Sequence, residues 1–242
     1  MFACNKLVDL TSCLIVKAIL KIILLSALVT NLCHNKIGNY DKNEEMSKLI
    51  MVKELRRCLW AKQGDKLMQA YHDCEWGRPE RNSQKLFELL TLEIFQSGLS
   101  WQTVLHKRAN FRRAFAHFDI ATIAHFTNAD VQRLLNDATI IRNRQKITAT
   151  INNAQIVSQK FPREQFSNYI WSFTHGQVIN HCYQTMSDIP KFDNLAWLVS
   201  QDLRQQQFKF IGPTIVYAFL QAGGVINDHT ADCFLAKNRA VN

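Results

Sequence analysis

Apolar positions recur with a helical period from about residue 83 to residue 223, and no sustained apolar–polar alternation marks a strand. Ser83 is placed to cap a helix whose apolar stripe runs through Leu86, Leu89, Leu90 and Ile94. Ser100 is placed to cap the next, through Val104, Leu105 and Phe111, and Asn128 a third, carrying Val131, Leu134 and Leu135. Further helices are predicted over 143–160, with Ile147, Ile151 and Ala154 on one side, and over 193–206 and 213–223. Pro213 suits a first helical position, where its missing N–H breaks no internal hydrogen bond. The pattern predicts an all-α fold.

Residues 1–50 have a different texture. From Leu14 to Leu32 the chain is mainly Ile, Leu, Val and Ala, but Lys17 and Lys21 interrupt the unbroken run of about 20 residues expected of a membrane span. The stretch fits a signal-peptide core, with Lys6 as a thin basic start, or an interfacial helix. Ser26-Ala27-Leu28 is a poor match to a small-x-small cleavage site, and residues 35–48 read as a polar linker. We expect the folded domain over residues 51–242, with 1–50 an extension outside it and Met46 or Met51 the natural start. A membrane anchor is the alternative.

Two features within the helical part carry chemistry. Glu93 lies four residues after Leu89 and seven after Leu86, so it falls on the apolar stripe. A buried carboxylate needs a partner or a ligand, whereas one at the stripe's edge can snorkel to water. Four metal-type side chains are split between the ends of the domain: Cys58 and His72 early, His229 and Cys233 late. The i, i+4 spacing of His229 and Cys233 puts both on one face if that run is helical. Two sulfurs and two imidazoles form a closed tetrahedral shell suited to structural zinc. The split matches no standard finger spacing, so spacing alone leaves open four unrelated buried side chains.

Charge and cysteine usage narrow the picture. Lys plus Arg number 29 against 20 Asp plus Glu, a net charge of +9, which favours a polyanionic partner such as nucleic acid. A modest excess of this size also suits a solvated surface. Seven widely spaced cysteines do not form a disulfide framework, and a reducing compartment is the simpler account.

Ordered motifs decide between these readings. Ala70-Tyr71-His72-Asp73-Cys74-Glu75-Trp76-Gly77 is followed by Glu93 and by Ser97-Gly98-Leu99-Ser100-Trp101. Then come Ile140-Ile141-Arg142-Asn143-Arg144, Ile170-Trp171-Ser172-Phe173, Phe208-Lys209-Phe210-Ile211-Gly212 and Asn227-Asp228-His229. From about Arg56 to Lys237 the set resembles DNA-3-methyladenine glycosylase I, the Tag family of base-excision repair, within the helix–hairpin–helix glycosylases. The resemblance implies hydrolytic excision of 3-methyladenine from alkylated double-stranded DNA, in the cytoplasm, without strand cleavage. It implies that Glu93 recognises the methylated base and that Tyr71 and Trp101 stack on it, with Trp60 behind them. Taken singly, each of these aromatics is more often ordinary core. Met68 stands where some relatives carry a further tyrosine. Gly98 and Leu99 would approach the DNA, and so would Lys209 and Gly212 in the hairpin, where relatives often have glycine at the position of Gln207. Arg142, Arg144 and Lys146 could add phosphate contacts. Asp228 falls near the catalytic aspartate of many hairpin glycosylases, although beside His229 it could equally cap a helix or orient a ligand. The resemblance also strengthens one structural zinc at Cys58, His72, His229 and Cys233. Two rivals remain: a zinc-stabilised DNA-binding module without catalysis, and a membrane-associated helical protein.

Overall fold

The computed structural model describes residues 56–61 and 64–236, so the expectations placed on residues 1–50 lie outside it. The described residues form nine α-helices: α1 (Lys66–Cys74), α2 (Ser83–Gln96), α3 (Trp101–Ala114), α4 (Ile120–Ala124), α5 (Asn128–Asn136), α6 (Arg144–Lys160), α7 (Gln165–Ser172), α8 (Asn194–Gln205) and α9 (Pro213–Ala222). Among them no helix is long and apolar enough to cross a membrane. The all-α expectation holds, with one addition. Ile179–Asn180 (β1) and Ile226–Asn227 (β2) pair in parallel, a two-residue ladder too short to show in the periodicity.

Local capping explains where the helices begin. Ser100 accepts from the Thr103 N–H and Asn143 from the Lys146 N–H, as polar side chains before a helix do. Two caps differ from expectation by one residue. Asn82, not Ser83, accepts from the Lys85 N–H, which leaves the Ser83 hydroxyl buried and accepting from the Ser167 N–H of α7. Thr127, not Asn128, starts α5, in a reciprocal capping box with Asp130.

Helix α2 is the axis of the molecule. Eleven of its 14 residues are buried, so it presents no single stripe but is enclosed by α3, α6, α7 and α9. A helix apolar nearly all round belongs in the middle of a fold. Polar side chains along its middle are therefore buried whichever way they point, and Glu88 and Glu93 are both there.

The turn between α8 and α9 is tied down from outside. Asn153 accepts from the Lys209 N–H and donates to its carbonyl, Asn152 donates to the carbonyl of Gln207, and Arg204 donates to that of Ile211. Gln207 sits at φ +73, a left-handed conformation that costs a residue with a Cβ about 1–2 kcal/mol. Glycine there relieves the strain and gives back part of the gain as chain entropy. We expect Gln207→Gly to stabilise the protein by roughly 0.5–1 kcal/mol, read as a higher urea midpoint at unchanged slope.

Candidate active site and metal centre

A cavity of about 320 Å³ opens between α1, α2 and α9. That is the low end of the roughly 300–1,000 Å³ typical of small-molecule sites, room for one base rather than a nucleotide. Its aromatic faces are Trp60, Tyr71, Trp76 and Trp101, and its polar groups are Glu93, Gln96 and Gln221. Met68, Met186, Ile189 and Ala218 complete the lining. The Tyr71 and Trp101 rings lie 5.0 Å apart at 42°, and Trp60 stands 6.2 Å from Tyr71 and 5.2 Å from Trp76.

Glu93 is 5 % exposed, and burial alone pushes its carboxyl up to about 8 from an ordinary value of 4.5. No ion pair or side-chain hydrogen bond to a described residue relieves it. Glu88, one and a half turns earlier on α2, is the contrast. It is also buried, but Arg108 reaches it at 2.6 Å and Arg112 at 2.8 Å. One carboxyl is paired within the structure and the other has no partner among the described residues. The Tyr71 hydroxyl and the Trp101 indole N–H are likewise buried without a partner among them. A second cavity of the same size is walled by Arg78, Lys85, Arg108 and Arg112. It offers no aromatic face, and its charges are engaged by Glu75, Glu80 and Glu88.

Behind the aromatic wall, Cys58, His72, His229 and Cys233 converge, all buried, with ligand atoms within 4.8 Å of one another. The sulfur of Cys58 lies 3.5 Å from His229 Nδ1, and that of Cys233 lies 3.4 Å from His229 Nδ1 and 3.5 Å from His72 Nε2. A tetrahedron with metal–sulfur bonds of about 2.3 Å and metal–nitrogen bonds of about 2.0–2.1 Å has sulfur–nitrogen edges of about 3.5 Å. The donor set and its spacing therefore fit one tetrahedral ion. The far nitrogen of each imidazole is also engaged. His72 Nδ1 is 2.9 Å from an Asp73 oxygen, and His229 Nε2 is 3.3 Å from the Trp76 carbonyl. Such partners hold each ring with its coordinating nitrogen turned inward. Gly77 allows this packing at φ +68, since a Cβ there would come within 3.1 Å of His229 Nε2.

The expected helix beneath His229 and Cys233 is absent. Residues 228–230 belong to no helix or strand and 231–236 form turns and a bend, with Cys233 N–H donating to the Thr230 carbonyl and Ala236 N–H to that of Cys233. The i, i+4 spacing converges through those turns. The two ends of the domain also meet in the backbone, where Phe234 N–H donates to the Arg56 carbonyl at 2.8 Å.

Other expected residues fall as follows. Gly98 takes φ +82 in the turn before α3, with open space where its Cβ would be, and Leu99 beside it is 44 % exposed. Lys209 has an exposed side chain, and Gly212 begins α9 with no side-chain cap on that helix end. Arg142 and Arg144 are exposed, as a phosphate contact requires, but Lys146 is not. Its ammonium is buried against the carbonyls of Phe95 and Ser97, where it fastens the end of α2 instead of reaching outward. Asp228 does not line the cavity. It is fully buried and accepts from Tyr217, Gln221 and His181. Trp76, Gln96 and Gln221 were not singled out from the sequence. Trp76 sits in the Tyr71 motif and could have been, whereas Gln221 reaches the cavity only because α9 crosses α2.

Known proteins with this geometry share its chemistry in name. The family model for methyladenine glycosylase matches residues 60–236. DNA-3-methyladenine glycosylase 1 of Escherichia coli (strain K12) is 46% identical over 180 residues, covering 74% of this chain and 96% of that protein. DNA-3-methyladenine glycosylase of Haemophilus influenzae is 39% identical over 178 residues, covering 73% and 96%. A crystal structure of 3-methyladenine DNA glycosylase I superposes with a TM-score of 0.71 at 44% identity, covering 74% of this chain and 98% of that one. The Staphylococcus aureus enzyme, solved for its recognition of 3-methyladenine, superposes at 0.69 with 36% identity, covering 74% and 95%. With half the chain and more matched by one family and its relatives aligned nearly end to end, this protein belongs to the methyladenine glycosylase family.

Proposed function

We propose that the chain excises 3-methyladenine from alkylated double-stranded DNA by hydrolysing the N-glycosidic bond, leaving an abasic sugar. The observation that carries this is Glu93, a buried carboxyl without a partner among the described residues, in a cavity the size of one base that it shares with two aromatics whose own polar atoms lack partners. Alkylation at N3 makes the base cationic, so it departs as a neutral purine. The protein's share is extruding the nucleotide, gripping the base and guiding water. Aromatic faces and a carboxylate both favour a cation. No lysine lines the cavity, which leaves water as the nucleophile.

The DNA contacts belong to the same proposal. Exposed Leu99 beside Gly98 fits the gap left by an extruded nucleotide. Lys209 and the uncapped start of α9 at Gly212 fit a phosphate, in the manner of a helix–hairpin–helix. Arg142 and Arg144 fit further phosphates. The ion at Cys58, His72, His229 and Cys233 is proposed as one structural zinc, because four protein ligands leave no position for a reacting water. We assign excision to residues 51–242 and the protein to the cytoplasm, since the relatives it resembles are named as DNA glycosylases of bacteria.

The test is release of free base. Wild type incubated with methylated duplex DNA is expected to liberate 3-methyladenine, read by chromatography of the soluble bases. Trp101→Ala is expected to lower that rate by at least about tenfold through lost stacking, with binding to undamaged DNA nearly unchanged. DNA binding without any base release would favour a zinc-stabilised binding module instead.

A further inference from the structure

Gln221 is a cavity residue whose amide is oriented by a hydrogen bond to a group outside the cavity. It donates through Nε2 to an Asp228 oxygen at 2.6 Å. Asp228 is fully buried and receives two more donors, the Tyr217 hydroxyl at 2.6 Å and His181 Nδ1 at 2.7 Å. A carboxylate only accepts, so the Gln221 amide cannot turn over without losing its partner and setting oxygen against oxygen. The Gln221 amide oxygen takes no hydrogen bond from a described residue, and the side chain is only partly buried where it lines the cavity.

We propose that Gln221 is a specificity-determining residue for the excised base, and that Asp228 is the positioning residue that makes it present an oxygen and not an NH₂. This rests on the reading of the cavity as a base pocket. An acceptor fixed there selects a base edge that carries an N–H donor, as the exocyclic amine of adenine does. A base with a carbonyl at that place meets two unpaired oxygens, and such mismatches discriminate more strongly than lost apolar contact. Glu93 differs in carrying a charge, which adds attraction for a cationic base to any hydrogen bond it accepts.

The experiment uses the full-length, metal-loaded protein and two free bases, 3-methyladenine and 3-methylhypoxanthine, which exchange amine for carbonyl at one ring position. Binding is followed by tryptophan fluorescence. Wild type is expected to prefer the amine-bearing base by about tenfold or more. Gln221→Met, similar in length and without an acceptor oxygen, is expected to weaken 3-methyladenine about tenfold and to change 3-methylhypoxanthine by less than about twofold. Asp228→Asn, whose amide can donate as well as accept, frees Gln221 to turn and is expected to lower the same preference, read on protein shown by circular dichroism to be folded. Equal weakening of both bases by Gln221→Met, or no change in either, would overturn the proposal. If Asp228→Asn does not fold, Gln221→Met alone decides. Failure of wild type to bind or release 3-methyladenine would refute the base pocket itself, whereas binding with an unmoved preference would refute only this inference.

Discussion

Cys233→Ser is expected to lose zinc and stability together, the largest single effect a side chain of this protein should show. Four ligands join residues near position 58 to residues near 233, and a structural zinc of this kind contributes about 10–16 kcal/mol of apparent binding free energy in small domains. Serine keeps the size but supplies a poor ligand, and only part of that contribution survives with three. In a domain this large each 1 kcal/mol moves the melting temperature by about 2–4 °C, so a fall on the order of 10 °C or more is expected. Zinc content by mass spectrometry and thermal melts are the readouts, with Cys74→Ser and Cys182→Ser, both at exposed positions, expected to change neither. A metal-free preparation as stable as wild type would remove the assignment.

Glu93→Gln is expected to act in opposite directions on catalysis and stability. In the empty pocket the carboxyl holds its proton up to about 8, so the folded state binds a proton there that the unfolded chain has already lost above about 4.5. The folded state's hold on that proton favours the fold at acid pH. This contribution fades as pH rises from about 4.5 to about 8, and beyond that wild type carries a buried charge. Glutamine has no such slope. The variant should melt above wild type, with a gap that widens to a few kcal/mol near pH 8. Excision should fall by about one to two orders of magnitude, since a charge-assisted hydrogen bond of roughly 1.5–3 kcal/mol is lost. Wild-type kcat/KM should rise with pH and level off near 8, while the variant's profile is flat in that range. Wild-type excision rates in a folded, zinc-loaded variant would show that the carboxyl does not hold the base.

The helices were legible where a cap and a stripe agree, as at Ser100 with Val104, Leu105 and Phe111. The centrality of Glu93 was legible too, though for a reason the stripe understates, since α2 is enclosed on nearly every side. What escaped depends on contacts between distant segments. The turns under His229 and Cys233 look like a helix to any spacing argument, and only the convergence with Cys58 and His72 favours turns. Lys146 reads as one of three basic residues until α6 packs on the end of α2 and two carbonyls capture it. Gln221 and Asp228 are ordinary polar residues in sequence. Their relation exists only because Asp228 comes back beneath α9.

The metal cluster also orders events in time. Trp60 and Trp76, which wall the base cavity, pack against His72 and His229, at ring separations of 5.3 and 4.7 Å. Cys58, Trp60, Tyr71 and Trp76 leave the ribosome early, but their partners His229 and Cys233 are among the last described residues to be made. At about 5–20 residues per second, the early half of the cavity waits on the order of ten seconds or more for the ion that fixes it. A chain released before Cys233 can hold its central helices and still lack a shaped pocket. Base binding is then expected only of molecules synthesised past Cys233, and products truncated before it are expected to lack a formed site with which to open the duplex.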